Sequence, residues 1–304
     1  MNYVSISDFN EYIIRNLHKM PHDVDLIVGI PRSGMLAANL IALYLNKPYT
    51  DLDSFLENRI YGIGHRGQFI QNGKTNKILI VDDSIGCGGA MKEVRERLAS
   101  KDHCCKYIFA AIIAAPESKN LVDCYCIEIP FPRVFQWNLF HHPDFIPNSC
   151  FDIDGVLCED PPIDDDGPIY LSYIKNAIPK FIPSVEINTL VTCRLEKYRA
   201  ATEEWLQKYR VKYKRLIMLN MASREERIAW GKHAEYKGKV FAISETDYFV
   251  ESSLSQAKTI VRIAKKPVFC TETFTMLDYK EEVSTIEYLF FRVKRKLRSL
   301  MFQN

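Results

Sequence analysis

Two short stretches of this chain place carboxylates where chemistry on phosphates becomes possible. The first is Ile78-Leu79-Ile80-Val81-Asp82-Asp83-Ser84-Ile85-Gly86-Cys87-Gly88-Gly89-Ala90. Two acids at the end of an apolar run can accept hydrogen bonds from a vicinal diol, and the glycines after them let backbone N–H groups close on a phosphate at a helix N-terminus. Diol plus phosphate means a sugar phosphate. An ordinary strand-to-helix turn with an Asp cap accounts for one acid and one glycine, not for the whole arrangement. The second stretch is Phe151-Asp152-Ile153-Asp154-Gly155-Val156-Leu157. Acids spaced by one along a strand point to the same side, so one can attack phosphorus while the other protonates the leaving oxygen.

Such side chains need a scaffold, and the apolar pattern supplies two β-α-β successions. In the first, Asp25 to Ile30 reads as a buried strand, Pro31-Arg32-Ser33-Gly34 as a turn and Met35 to Leu45 as a helix. A strand over Lys77 to Val81, a helix from Gly89 to Leu98, and strands over Tyr107 to Ile113 and Cys124 to Ile129 complete a parallel sheet. Between them Glu57 to Asn76 is polar and carries Gly62, Gly64, Gly67 and Gly73, the composition of either a functional lid or a disordered loop. The proline-bearing segment His141 to Asn148 is the expected joint. The second succession follows: the Asp152 strand, a strand over Thr189 to Val191, a helix over Leu195 to Tyr209, and strands over Leu216 to Leu219 and Tyr248 to Val250. The fold class expected is α/β with two parallel-sheet domains, over 1–145 and 146–275, and a basic amphipathic C-terminal segment over 276–304.

The Asp82-Asp83 stretch resembles the phosphoribosyl pyrophosphate motif of the type I phosphoribosyltransferases, over roughly residues 20 to 140. The resemblance implies that Asp82 and Asp83 hold the ribose 2- and 3-hydroxyls and that Gly86, Cys87, Gly88, Gly89 and Ala90 bind the 5-phosphate. The family's usual Thr-Gly-x-Thr is here Cys87-Gly88-Gly89-Ala90, which removes two hydroxyls and keeps the backbone donors. Arg32, Ser33 and Gly34 stand where the family has its pyrophosphate loop, with magnesium and an Arg fork stabilising the departing pyrophosphate. Arg59, His65 and Arg66 are the contacts implied for a closing catalytic loop. Trp137, in Pro130-Phe131-Pro132-Arg133-Val134-Phe135-Gln136-Trp137, is either an acceptor-stacking platform or packing at the domain joint.

The Asp152-Asp154 stretch resembles motif I of the haloacid dehalogenase-like phosphatases, over roughly 148 to 270. By that resemblance Asp152 is the nucleophile that forms an aspartyl phosphate, Asp154 the acid and then base, and Thr192 the phosphate-binding hydroxyl, with Cys193 and Arg194 beside it. Lys232 is the first choice for the charge-neutralising lysine and Lys237 its rival. Mg²⁺ would be held by Asp152, the carbonyl of Asp154 and Glu251, which stands in Tyr248-Phe249-Val250-Glu251-Ser252-Ser253 where the family has paired Asp. The insert Glu159 to Pro183, with Asp164-Asp165-Asp166, Tyr170 and Tyr173, falls where the family places a small cap; the acid run is equally a solvated face.

Composition bounds the rest. The 304 residues are 47% hydrophobic and 26% charged, which excludes a disordered or low-complexity chain. No run approaches the roughly 18 apolar residues of a membrane-spanning helix, and the first residues lack a secretory pattern, so a cytoplasmic protein with reduced thiols is expected for the nine cysteines. The net charge of +2 is unevenly spread: residues 290–304 carry five basic and no acidic side chains, so the rest of the chain is slightly acidic. That tail, with Phe290, Phe291, Leu297, Leu300 and Phe302 among its cations, suits a helix on an anionic membrane surface or one packed on the body of the protein; nucleic acid is not an expected partner.

Together these features point to a bifunctional enzyme. It would transfer 5-phosphoribose from phosphoribosyl pyrophosphate to an acceptor glycan or glycolipid and then remove the 5-phosphate. The alternatives are a nucleobase phosphoribosyltransferase fused to a nucleotidase, and a phosphatase with a non-catalytic sensing domain.

Overall fold

The computed structural model describes residues 1–61, 76–99, 105–162 and 167–279. It divides into two compact units, Met1–Phe135 and Gln136–Asn304.

The first unit opens with β1 (Asn2–Val4) and α1 (Ile6–Asn16), the helix started by a capping box in which the Ser5 hydroxyl and the Asp8 carboxylate serve each other's backbone N–H. Then come β2 (Leu26–Gly29), α2 (Gly34–Leu45), β3 (Tyr49–Asp51), α3 (Leu52–Leu56), β4 (Lys77–Ile85), α4 (Gly89–Ala99), β5 (Lys106–Ala114), β6 (Cys124–Glu128) and β7 (Arg133–Phe135). Five strands form a parallel sheet in the order β3-β2-β4-β5-β6, while β1 and β7 pair separately. Leu26, Ile27 and Val28 are fully buried, as a continuous apolar strand covered on both faces must be.

The chain runs outward from β2 to β3 and returns on the other side of β2 as β4. The order therefore reverses between β2 and β4, and parallel sheets bind ligands beyond the carboxyl ends of strands at such a reversal. Pairing of β2 with β4 ends at Gly29 opposite Val81, so Asp82 and Asp83 are the first β4 residues past the end of β2. The sequence pattern stops this strand at Val81; the structure carries it through both acids to Ile85, because β5 continues to pair with it as far as Ile85 opposite Ala114.

The second unit contains β8 (Ser149–Phe151), α5 (Pro168–Asn176), β9 (Ile187–Leu195), α6 (Arg199–Lys208), β10 (Tyr213–Leu219), α7 (Arg224–Trp230), α8 (His233–Ile243), β11 (Tyr248–Glu251), α9 (Leu254–Ala264), β12 (Val268–Cys270) and β13 (Thr275–Leu277). The sheet order is β10-β9-β8-β11-β12-β13, parallel except for β13. Again the order reverses beside the first strand, here between β8 and β11.

The division falls about ten residues before the proline-bearing joint expected from the sequence. Phe140 explains why: its ring stacks on Phe181 at 4.6 Å and meets Phe151 and Phe269 edge-on, so this segment is part of the second unit's core. Among the described residues no helix is long and apolar enough to cross a membrane.

Candidate active sites

In the first unit, the acids, the turn after β2 and the N-terminus of α4 meet at the strand reversal. Ser33 stands at the N-cap of α2 but makes no cap bond; its hydroxyl donates instead to Asp83 Oδ1 at 2.9 Å. Gly34 is required by the same closeness, since a Cβ there would lie 2.9 Å from the Val81 carbonyl and 3.0 Å from Asp82 Oδ1. Asp82 Oδ1 accepts the Asp83 N–H, and no Lys, Arg or His among the described residues forms an ion pair with either acid. Burial, with the charge of Asp83 next, pushes the Asp82 carboxyl up to about 8. Two adjacent carboxylates without a cation suit the hydroxyls of a diol, or magnesium.

The glycine-rich turn has structural duties too. A Cβ on Gly86 would stand 2.9 Å from Phe131, and Gly88 has φ +78 with Leu121 where its Cβ would be. As the first residues of α4, Gly89, Ala90 and Met91 have N–H groups with no acceptor inside the helix, the donors a phosphate uses. Cys87, Gly89 and Ala90 are exposed. Arg32 is exposed in the turn after β2; Arg59, also exposed, pairs with Glu57 at 2.6 Å. His65, Arg66 and the glycines from 62 to 73 lie outside the described residues, as do Asp164 to Asp166 and the tail from 280 on.

Trp137 lies in the turn that opens the second unit. The aromatic that the first unit itself sets against its loop is Phe131, half exposed, with the Arg133 guanidinium 4.4 Å from its ring centroid. Arg133 is held by the carbonyls of Ile129 and Ile85, each at 3.0 Å. Sequence reading passed over this pair because a Phe between two prolines carries no periodic signal.

Residues 6–143 match the family model described as phosphoribosyl transferase domain. The first unit is a phosphoribosyltransferase domain. Solved structures similar to the chain include the xanthine-guanine-hypoxanthine phosphoribosyltransferase of Helicobacter pylori, 17% identical over 45% of this chain and 92% of that one, with a TM-score of 0.35. A purine phosphoribosyltransferase from Pyrococcus horikoshii is 20% identical over 45% of this chain and 94% of that one, with a TM-score of 0.33.

The second unit gathers Asp152, Asp154, Thr192, Lys237 and Glu251 at its own strand reversal. Asp152 follows β8 and is buried; its Oδ1 accepts the Ile153 N–H at 2.8 Å and its Oδ2 takes the Lys237 ammonium at 2.5 Å. Burial raises the Asp152 carboxyl despite Lys237, with Glu251 and Asp154 adding to the rise. Burial would lower Lys237, but the charges of Asp152 and Glu251 outweigh it and keep the ammonium protonated.

Asp154 has a different partner. Arg194, whose side chain is fully buried, donates Nε to Asp154 Oδ2 at 3.0 Å and Nη2 to Oδ1 at 2.6 Å, and the Tyr173 hydroxyl adds a bond at 2.9 Å. Burial alone would raise Asp154; the guanidinium overrides it and holds the carboxyl below the usual range. Gly155, at φ +75, is fixed by Ser252, whose Oγ would be 2.3 Å from an added Cβ.

Three expectations change. The lysine between the acids is Lys237, on the buried face of α8, whereas Lys232 is the exposed N-cap residue of that helix. Glu251 does not offer a free carboxylate for a metal: Oε2 accepts from Lys237 at 2.8 Å and Oε1 from the N–H groups of Ser252 and Ser253 at 3.0 and 3.1 Å. Among the described residues no three His, Cys, Asp or Glu side chains gather to hold a metal. Magnesium needs only one or two carboxylates when water and substrate oxygens complete its shell, so Asp152, which lines the cleft as Glu251 does not, still fits it with the Asp154 carbonyl. Arg194 is more than a neighbour of Thr192: it is the partner of Asp154.

Thr192 is buried and lines a cleft of about 200 Å³ with Asp152, Asp154, Lys237 and, from the insert, Asp160 and Tyr170. Arg227, His233 and Gln256 also line it, none of which the sequence singled out. The nearby thiols are not nucleophiles, since burial pushes Cys158 and Cys193 up to about 12.

Proposed function

We propose that the chain is a bifunctional enzyme in which the first unit transfers 5-phosphoribose from phosphoribosyl pyrophosphate to an acceptor and the second hydrolyses the 5-phosphate left on the product. The observation that carries the reading is the repeated arrangement: each unit sets two carboxylates past the end of a strand at a reversal of strand order, and the surroundings of the two pairs differ as the two reactions require. Asp82 and Asp83 form no ion pair among the described residues and are followed, across the glycine turn, by the N–H donors of α4, which suits a ribose diol and a 5-phosphate. Loss of pyrophosphate leaves charge on the departing oxygens, for which Arg32 and magnesium are the stabilisers.

In the second unit Asp152 attacks phosphorus. Thr192 holds a phosphoryl oxygen and Lys237 neutralises the acid cluster; Asp154, ionised against Arg194 in the free protein, takes up a proton as substrate charge enters the cleft, gives it to the leaving oxygen and then takes one from the attacking water. Magnesium, when bound, neutralises phosphoryl charge. Hydrolysis makes the sequence irreversible, and tethering raises the concentration of the intermediate at the second site. The acceptor we favour is a lipid-linked glycan precursor, on the strength of the cationic and apolar residues from 290 to 302.

Incubation with phosphoribosyl pyrophosphate and Mg²⁺, and either free bases or a membrane glycolipid extract, tests the reading. Ribosylated glycolipid with release of pyrophosphate and phosphate is the expected result. Nucleoside release would replace the acceptor, and phosphatase activity without pyrophosphate release would remove the transferase step.

A further inference from the structure

We propose that Arg227 and His233 form the anion-binding wall of the second unit's cleft and hold the phosphoryl group of a sugar phosphate monoester. The inference rests on the phosphatase reading of Asp152 and names the residues that would seat its substrate.

The cations on the floor of the cleft are already committed. An ammonium has three protons, and Lys237 directs them to Asp152 Oδ2 at 2.5 Å, Glu251 Oε2 at 2.8 Å and Gln256 Oε1 at 3.1 Å. Arg194 gives Nε and Nη2 to Asp154 and turns Nη1 toward the Thr202 hydroxyl at 3.4 Å. Most of their donors are spent on carboxylates, and a phosphate oxygen would have to displace Gln256 from Lys237 or Thr202 from Arg194. With Lys237 and Arg194 offset by Asp152, Glu251 and Asp154, and Asp160 in the same lining, a phosphate dianion finds no net positive charge there, and further cations lower its cost.

The wall made by α7 and α8 supplies them. Arg227 is half-buried, lines the cleft and places Nη1 3.4 Å from the carbonyl of Cys193, the residue after Thr192. A guanidinium there is next to the hydroxyl assigned to phosphate, and its planar fork matches two phosphate oxygens at once. His233, the first residue of α8, lines the same cleft six positions later. Gly231 between them adopts φ 60, the left-handed turn that ends α7 and starts α8 anew. The cleft volume of about 200 Å³ admits a phosphoryl group with a small part of its alcohol, and the insert contributes Asp160 and Tyr170 to the same lining.

Titration calorimetry with inorganic phosphate, together with turnover of ribose 5-phosphate, tests this on the full chain. In Arg227→Gln, phosphate affinity should fall at least about tenfold and KM should rise by a similar factor while kcat stays within about threefold, the signature of lost ground-state binding. Arg227→Lys should recover part of both, and His233→Gln should show a smaller loss of a few fold. Thermal unfolding of each variant establishes that it is folded, and Arg227→Lys, which keeps charge and stem, serves if Arg227→Gln is not. Unchanged phosphate affinity and KM in a folded Arg227 variant would overturn the proposal, and would leave the phosphatase reading intact if Asp152→Asn still abolished turnover. Wild-type protein that binds phosphate through Arg227 but turns over no ester would uphold the anion wall and defeat the phosphatase reading.

Discussion

The two acid pairs of this chain are built alike and stabilised differently. Asp82 and Asp83 are neighbours on β4 whose recorded support is one hydroxyl, from Ser33, and one backbone N–H; no cation pairs with either among the described residues. Asp152 and Asp154 each have a buried cation of their own, Lys237 and Arg194. The first pair has its carboxylate repulsion left in place, and a ligand rich in hydroxyls, or a metal, would relieve it. The second is offset before any ligand arrives: the Arg194 guanidinium holds Asp154 below the usual carboxylate range, while burial still raises Asp152 against Lys237.

The comparison breaks most sharply at Asp152. Replacing it with Asn removes the attacking oxygen while keeping shape, and phosphatase turnover should fall by roughly 10⁴-fold, the scale of losing a single reacting group. A 5-phosphorylated product should accumulate in chromatography of the reaction. Unphosphorylated product at the wild-type rate would show that Asp152 is not the nucleophile.

Arg194 comes next, and the measurement there is stability. Arg194→Met leaves the Asp154 carboxylate without its buried partner, and breaking a pair of this kind costs about 3–5 kcal/mol. Urea denaturation should show the loss in the second unit's transition. The double variant Arg194→Met with Asp154→Leu should recover most of it, because no unpaired charge then remains. An equal loss in the single and double variants would mean that Arg194 acts by packing rather than by pairing.

These two residues also mark how far the sequence could be read. Asp82, Asp83, Asp152 and Asp154 were legible because each ends an apolar run and a glycine turn follows, a local pattern with a local cause. Lys237 was not. Its helix buries Lys237, Gly238 and Phe241, so a cation and a glycine hold most of the buried face, and apolar periodicity cannot find it. Gly238 is there because an added Cβ would come within 3.1 Å of Ile263 on α9, a contact no local pattern reports. Arg194 stands two residues after Thr192 on β9, yet its role follows from Asp154 in the turn after β8, forty residues earlier in the chain. The parallel sheets were legible from buried strands such as β2; β1, β7 and α7, being short, were not. The reversals of strand order that place both acid pairs are properties of the sheet alone.

Asp83 sharpens the comparison from the other side. Its Oδ1 accepts the Ser33 hydroxyl, so Asp83→Asn keeps the local bond while reducing the charge offered to a ribose hydroxyl. Hydrogen bonds to charged groups are worth about 1.5–3 kcal/mol. Pyrophosphate release should therefore slow by roughly 10- to 100-fold in kcat/KM, with the phosphatase reaction on ribose 5-phosphate unchanged. Loss of both activities together would contradict the assignment of separate sites.

The last test is a dependence on pH, which substitution isolates at Asp82. Asp82 titrates near 8 in the folded protein and near its usual 3.8 when unfolded, because burial and the adjacent Asp83 charge favour the neutral form. Between those values the folded state binds more protons than the unfolded one, so this group's contribution to stability declines as pH rises from about 4 to about 8. Asp82→Asn removes the titration. Its melting temperature should match wild type near pH 4 and rise above it progressively toward pH 8, even as the variant loses transferase activity. Addition of phosphoribosyl pyrophosphate with Mg²⁺ should narrow the gap, since a ligand that uses the ionised pair restores what repulsion takes away. A constant difference across the pH range would mean that Asp82 is ionised and satisfied in the free protein, and the contrast between the two acid pairs would fall with it.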